Sequence, residues 1–402
     1  MKYIFYILFF LMLTFPGQLL FIKVPLLIYV IMTNLITKTG QYRYTRGVLL
    51  VFFSIEAYGL YGLLVGVINS TPQPMYYFSL FNIWPIVYLF LIQYLDEEVK
   101  FIKFFKMLFW THTFIVCYNL LFISSQILMF PFPDIYSNGS NFNFYLEEGT
   151  SRLNFENLNT LTFTLPILFF TYIGKFKIGI SRILQLIIFI LSAVLAIMSG
   201  RRSLMLTFLM LPIISLFIPS MVSKEVGKNI KKILIYIFIV LIILGFIVYF
   251  IFPDFYFGYI DTVTKAFDSE EEPVKFALSK MYNNEFFANP IFGTGFGYEF
   301  FDPYRRYYSV IFELSFNQKI AMTGIIGTPF ILFTYFYPLI KGKILATKSS
   351  DIILFSLVLG YLFALLADAT NPVLTQFEFY WPLYILVARI NYLQNGNFIK
   401  AA

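Results

Sequence analysis

The chain has 402 residues, of which 59% are hydrophobic, 21% aromatic and only 13% charged, with a formal net charge of +7 and a mean hydropathy of +0.76. A soluble domain of this length needs roughly a quarter of its residues charged to cover its exterior, so the composition excludes a soluble globule and describes an all-α polytopic integral membrane protein. The positive balance does not indicate nucleic acid, because Lys and Arg fall mostly in short loops between apolar runs, as cytoplasmic anchoring requires. With Cys117 the only cysteine and His112 the only histidine, an intrachain disulfide and a zinc site built on Cys or His are also excluded.

Apolar runs long enough to cross about 30 Å of hydrocarbon recur from end to end. The first covers about residues 3 to 20 and is broken by Pro16-Gly17; with no small-residue cleavage site it predicts a retained helix rather than a signal peptide. A second, about 26 to 36, is equally short, and the basic loop 38–46 follows. Spans three to five are expected at about 47 to 68, 78 to 95 and 105 to 128, with the basic cluster Lys100, Lys103 and Lys106 before the fifth. A polar loop, 130–157, leads to the sixth (about 158 to 173), and Lys175, Lys177 and Arg182 precede the seventh (about 183 to 198). Only Ser199-Gly200-Arg201-Arg202-Ser203 separates the seventh from the eighth (about 204 to 219), and the basic loop 224–232 precedes the ninth (about 233 to 252). After a long polar segment, 253–316, the last three lie at about 319 to 340, 352 to 367 and 380 to 393.

Placing every basic loop on the cytoplasmic side demands an even number of crossings between neighbours, and each pair is separated by two. The pattern closes with about twelve spans and both termini cytoplasmic. It divides the chain into an N-terminal helical part (1–252), one large periplasmic loop (253–316) and a C-terminal helical part (317–402). No internal repeat of fixed period is visible, which counts against an inverted-repeat transporter.

On the outer side of this scheme, Arg201 and Arg202 stand between two apolar helices, against the cytoplasmic bias of positive charge. Two readings fit: a snorkelling pair beside lipid phosphates, or a bidentate anchor for a phosphate or carboxylate ligand. Arg152 is a third cation for the same place, with Glu156 able to orient it. The run Asp268-Ser269-Glu270-Glu271-Glu272 reads as solvated loop surface. In Asn289-Pro290-Ile291-Phe292-Gly293-Thr294-Gly295-Phe296-Gly297-Tyr298 the glycines permit positive φ, so an ordered bend is expected. It is not a nucleotide signature, since no strand precedes it and no Lys-Ser follows.

Arg305 and Arg306 face Glu313 across one or two turns if that segment is helical. Glu313 fits either a general base whose proton affinity is raised at a membrane boundary, or an acid favoured by the N-terminal dipole of the next helix. His112 is an intramembrane histidine with no evident partner in sequence.

In their order, these motifs resemble the O-antigen polymerase and O-antigen ligase superfamily of bacterial polysaccharide assembly (Wzy-like polymerases). Arg152 with Asn157 or Asn159 is similar to its Arg-then-Asn at a helix head, and Ser199-Gly200-Arg201-Arg202-Ser203 to its small-Gly-x-Arg turn. Asn289-Pro290-Ile291-Phe292-Gly293-Thr294-Gly295 is similar to its Pro-x-x-Gly-x-Gly loop, Gly324-Ile325-Ile326-Gly327 to the opening of its following helix, and Asn371-Pro372 to a late Asn-Pro. The set covers roughly the C-terminal two-thirds of the chain. Family ligases and many polymerases carry a histidine about eleven residues before the Gly-x-x-Gly; here Glu313 occupies that spacing.

The resemblance implies an inner-membrane polymerase of undecaprenyl-pyrophosphate-linked oligosaccharide repeat units, active at the periplasmic face on O-antigen, capsule or other exopolysaccharide. It implies no cofactor, no metal, no nucleic acid, and the lipid-linked oligosaccharide, the bilayer and a chain-length regulator as partners. Arg152, Arg201 and Arg202 would bind the pyrophosphate, Arg305 and Arg306 glycan or phosphate, and Glu313 would be the catalytic base. A ligase-type glycan transferase and a flippase of lipid-linked sugars are the alternatives.

Overall fold

A computed structural model describes residues 3–38, 42–136, 143–145, 150–153, 155–199, 201–217, 273–302, 306–310, 313–370 and 372–396, with helical positions 235, 239, 243, 246, 249 and 250. The basic loop 224–232, most of the expected ninth span, the acidic run 268–272, Gly200, Arg305 and Asn371 lie outside the described residues, as do the side chains of Arg152 and Arg202. Nearly everything described is helical. The elements are α1 (Ile4–Thr14), α2 (Leu20–Lys38), α3 (Arg46–Ile68), α4 (Tyr76–Ile92), α5 (Glu98–Leu128), α6 (Asn157–Ile173), α7 (Arg182–Met198), α8 (Arg202–Phe217) and α9 (Pro273–Ala288). They continue with α10 (Ser315–Ser349), α11 (Ile352–Thr370) and α12 (Trp381–Gly396). Two small antiparallel hairpins interrupt them: β1 (Asn143–Tyr145) with β2 (Thr150–Arg152), and β3 (Phe300–Asp302) with β4 (Tyr307–Ser309).

Five helices, 20–38, 46–68, 98–126, 315–349 and 352–369, are long and apolar enough to cross a membrane, and Ile4–Thr14, Tyr76–Ile92 and Arg182–Met198 are shorter apolar helices. Their outward faces carry large bare side chains, such as Phe21 at 77% exposure, Phe53 at 61% and Ile183 at 74%. Faces of this kind are stable only against an apolar solvent, so the chain is a helical membrane protein.

The centre of the bundle is α6, whose side chains are almost all buried, backed by α11 and α5. α11 approaches α6 closely because position 360 is glycine: a Cβ there would stand 2.2 Å from Ile167 and 3.2 Å from the Phe163 carbonyl. α3 runs along α10, with the Ser54 hydroxyl donating to the Phe330 carbonyl at 2.8 Å. Within α4 one turn of π-helix, Ser79–Ile83, carries Asn82 to the Glu56 carboxylate at 2.8 Å, into space left by Gly59.

Connections gather in two groups at opposite ends. In one, Asp96 is shared between Lys38 and Lys100, Arg389 clamps Glu98 and Asp351, and Asn391 ties down the Arg43 carbonyl and the Thr45 amide. In the other lie the ties of Gly17 with Glu378, of Leu153 and Phe155 with Ser199 and Arg201, and of Thr71 and Gln73 with Phe296 and Gly297.

Candidate functional site

α10 is broken near its start. Gly324 has φ +57° and ψ −163°, a conformation open in practice only to glycine. The break strips backbone groups of their helical partners, and the bend following Asn289 replaces them. Thr294 and Gly295 amides donate to the Ala321 and Met322 carbonyls at 3.1 and 2.8 Å, while Ile325 and Ile326 amides donate to the Pro290 and Ile291 carbonyls at 2.9 and 3.2 Å. Non-helical backbone at membrane depth survives only when protein satisfies it, and this loop does so group by group. Gly293, Gly295 and Gly297 all have positive φ, as an ordered bend requires. A Cβ at Gly295 would stand 2.4 Å from the Gly66 backbone, so α3 closes the other side, where the Phe296 ring packs among Tyr58, Tyr77 and Phe81.

The turn between α7 and α8 meets the segment leading into α6. Arg201 donates from Nε to the Leu153 carbonyl at 3.0 Å and from Nη2 to the Phe155 carbonyl at 3.2 Å, and the Leu153 amide returns to the Ser199 carbonyl at 3.0 Å. Arg201 is thereby held in a defined, partly exposed position, and the backbone of Arg152 ends β2 immediately before this tie. Arg202 opens α8.

Arg201 acts on the Glu156 carboxylate, and Glu156 in turn lies near a second carboxylate, Glu378. Glu378 is buried and accepts from Lys23 Nζ at 2.6 Å and from the Gly17 amide at 3.0 Å; Lys23 also donates to the Phe15 carbonyl at 3.0 Å. Glu156 occupies the N-cap position of α6 but makes no capping bond. Its Oε2 instead points at Gly17, 3.2 Å from where a Cβ there would stand, and it is solvent-exposed. Although the residue as a whole is exposed, partial burial of its carboxyl among the surrounding segments raises it above its ordinary value; a hydrogen bond with Gln376 opposes this, Glu378 adds to it, and Arg201 and Lys23 oppose it.

Glu313 belongs to a different group of contacts. It lies before Leu314, whose φ of +62° turns the chain into α10, and its carbonyl accepts from the Tyr282 hydroxyl of α9 at 3.4 Å. The segment before it is the β3–β4 hairpin, not a helix, so Arg306 does not face Glu313 across helical turns. Phe300-Phe301 and Tyr307-Tyr308 favour extended pairing, and Arg306, exposed with φ +58°, sits where the chain reverses between them.

Two ion pairs are not read from the sequence, and His112 is read there without its partners. Lys319 and Asp368 form an ion pair of 2.6 Å, with Lys319 3% and Asp368 0% exposed; Ser315 Oγ and the Leu374 amide also bond Asp368 at 3.1 and 2.8 Å. The Lys23–Glu378 pair joins residues 355 positions apart. His112 lies between Thr164 Oγ1 at 2.8 Å and Ser192 Oγ at 2.9 Å, joining α5, α6 and α7. A lone charge in an apolar run, as at Lys319 and Asp368, was the available signal. Among the described residues, no three or more His, Cys, Asp or Glu side chains are grouped to hold a metal ion.

Comparison with protein-family models, with curated proteins and with solved structures finds no match to this chain.

Proposed function

We propose that this chain is a multi-pass glycosyltransferase of the bacterial inner membrane that polymerises oligosaccharide repeat units carried on undecaprenyl pyrophosphate. In this reading the loop group with Arg201 and the glycine bend faces the periplasm, and the group with Asp96 and Arg389 faces the cytoplasm with both termini. The growing glycan leaves its lipid pyrophosphate and passes to a sugar hydroxyl of the next unit. A chain-length regulator in the same membrane is the expected protein partner.

The observation that carries the proposal is the fixed guanidinium of Arg201, bonded to two carbonyls of the adjoining segment at the end of an otherwise apolar bundle. Departing pyrophosphate gathers negative charge, and a pre-positioned guanidinium stabilises that charge without reorganising. Arg202 on the same turn and Arg152 on the neighbouring strand are the further cations assigned to it, with Arg305 and Arg306 assigned to glycan or phosphate. A carboxylate takes the acceptor proton, and the sequence points to Glu313 for that role. The reaction as proposed calls for no cofactor. Arg201→Ala, still inserted in the membrane, is expected to leave cells making single-repeat glycan; normal long chains from it would remove Arg201 from the mechanism.

A second reading is favoured by a specific observation. The buried Lys319–Asp368 pair and the broken helix at Gly324 are features that line substrate and ion paths in transporters. A flippase of lipid-linked sugars would move a fluorescent lipid-linked saccharide across vesicles and lose that in Asp368→Asn; the polymerase reading expects no such translocation.

A further inference from the structure

We infer that Glu156 is the proton acceptor of the transfer reaction, paired with Arg201 across the scissile bond; the inference rests on the polymerase reading and reassigns the base from Glu313. Direct displacement at an anomeric carbon puts the incoming oxygen and the departing oxygen on opposite sides of one atom, so base and anion-binding cation must flank the same small space from different sides. Glu156 and Arg201 lie near enough for the Arg201 charge to act on the Glu156 carboxyl. The Arg201 guanidinium bonds the carbonyls of Leu153 and Phe155, the latter the residue directly before Glu156. At Glu313, the backbone carbonyl accepts from the Tyr282 hydroxyl in another group of contacts.

Four segments frame the Glu156 carboxylate. Gly17, with φ +68°, brings the α1–α2 turn against it, and any side chain there would meet Oε2. Lys23 of α2 and Glu378 of the turn before α12 neutralise each other at 2.6 Å, so neither is the base. Gln376 hydrogen-bonds Glu156, and Arg201 supplies the facing positive charge. Glu156 makes no capping bond to α6, so its carboxylate oxygens are not taken up by the helix amides.

The same segments carry polar atoms that suit a sugar. Thr14 Oγ1 and Gln376 Oε1 are buried with no hydrogen-bond partner in the protein, although buried polar atoms nearly always have one. A sugar hydroxyl can donate to either oxygen, which an apolar lipid chain cannot do.

The step balances. An acceptor hydroxyl attacks the anomeric carbon and a C–O glycosidic bond forms, while the bond from that carbon to the phosphate oxygen breaks. Its electron pair leaves on the lipid pyrophosphate beside Arg201, and the hydroxyl proton passes to Glu156. The raised proton affinity of Glu156 places the acid limb of the rate above the ordinary carboxylate value.

The test uses the purified full chain in proteoliposomes with a polyprenyl-pyrophosphate-linked repeat unit, measuring bond formation against pH and, separately, binding of the lipid-linked donor. Glu156→Gln keeps the shape and the hydrogen bond to Gln376. It is expected to lose about 10²-fold or more in rate, to bind donor as before, and to lose the acid limb. Glu156→Asp is expected to retain measurable turnover with the limb present, which separates a proton-transfer role from a folding one. Wild-type rate or an unchanged acid limb in Glu156→Gln would overturn the assignment, as would loss of the limb in Glu313→Gln alone. If the wild type forms no glycosidic bond from this substrate, the polymerase reading itself fails, whatever the variants do.

Discussion

At the scale of single residues, the charges divide into those enclosed within the bundle and those at its ends. Lys319 and Asp368 are fully enclosed and saturated by Ser315 and the Leu374 amide, so they tie the start of α10 to the end of α11. Removing one partner strands the other in a low-dielectric interior. Lys319→Ala is therefore expected to cost about 3 to 5 kcal/mol, read from unfolding in detergent, with the double change to apolar residues costing less. Asp96 follows the opposite electrostatics. Its own partial burial pushes its carboxyl up, but hydrogen bonds from Lys100 and Lys38 outweigh that and hold it below the ordinary value. Such a group contributes stability above its unfolded pKa and loses it as pH falls through the lower folded one. Asp96→Asn is expected to flatten the acid side of the stability profile, measured as melting temperature between neutral and acid pH. Sequence could place these residues but not pair them, since Lys23 and Glu378 are 355 positions apart. His112 is a similar case: its partners Thr164 and Ser192 come from two other helices.

At the scale of elements, the most legible feature was the glycine bend. The spacing of Gly293, Gly295 and Gly297 announced positive φ, and all three have it. What spacing does not reveal is the bend's partner, because the partner is a helix that must itself break. Gly324 marks that break, yet in sequence it sits inside an apolar run that reads as continuous. Gly295→Ala places a methyl against the Gly66 backbone and forces a left-handed φ on alanine. It is expected to unseat the bend, lowering the melting temperature and exposing the 289–298 amides to hydrogen exchange. The segment before Glu313 was conditionally read as helical and is a hairpin, because paired aromatic residues favour a two-stranded ribbon over an isolated turn of helix.

At the scale of the whole molecule, composition alone established a helical membrane protein, since apolar content and run length are properties that tertiary contacts cannot disguise. Among the described residues, Lys38 and Lys100 meet at Asp96, while Leu153 meets Ser199 and Glu156 meets Arg201, Gln376 and Glu378. Sidedness is a separate prediction. In a Cys117→Ser background, Tyr308→Cys should react with an impermeant maleimide in intact spheroplasts and Lys348→Cys only after permeabilisation, and the reverse pattern would invert the scheme.

The grouping of Glu156 with the Arg201 turn is legible in the sequence, but the addition of Lys23 and Glu378 is not, because these lie 355 positions apart. The central claim is that this convergence joins sugars. The measurement that tests it most directly is incubation of the purified protein in proteoliposomes with lipid-linked repeat units, resolving the products by size. The account predicts a ladder of glycans on the lipid, absent with Arg201→Ala and Glu156→Gln; unextended single units from the wild type, or an equal ladder from Arg201→Ala, would contradict it.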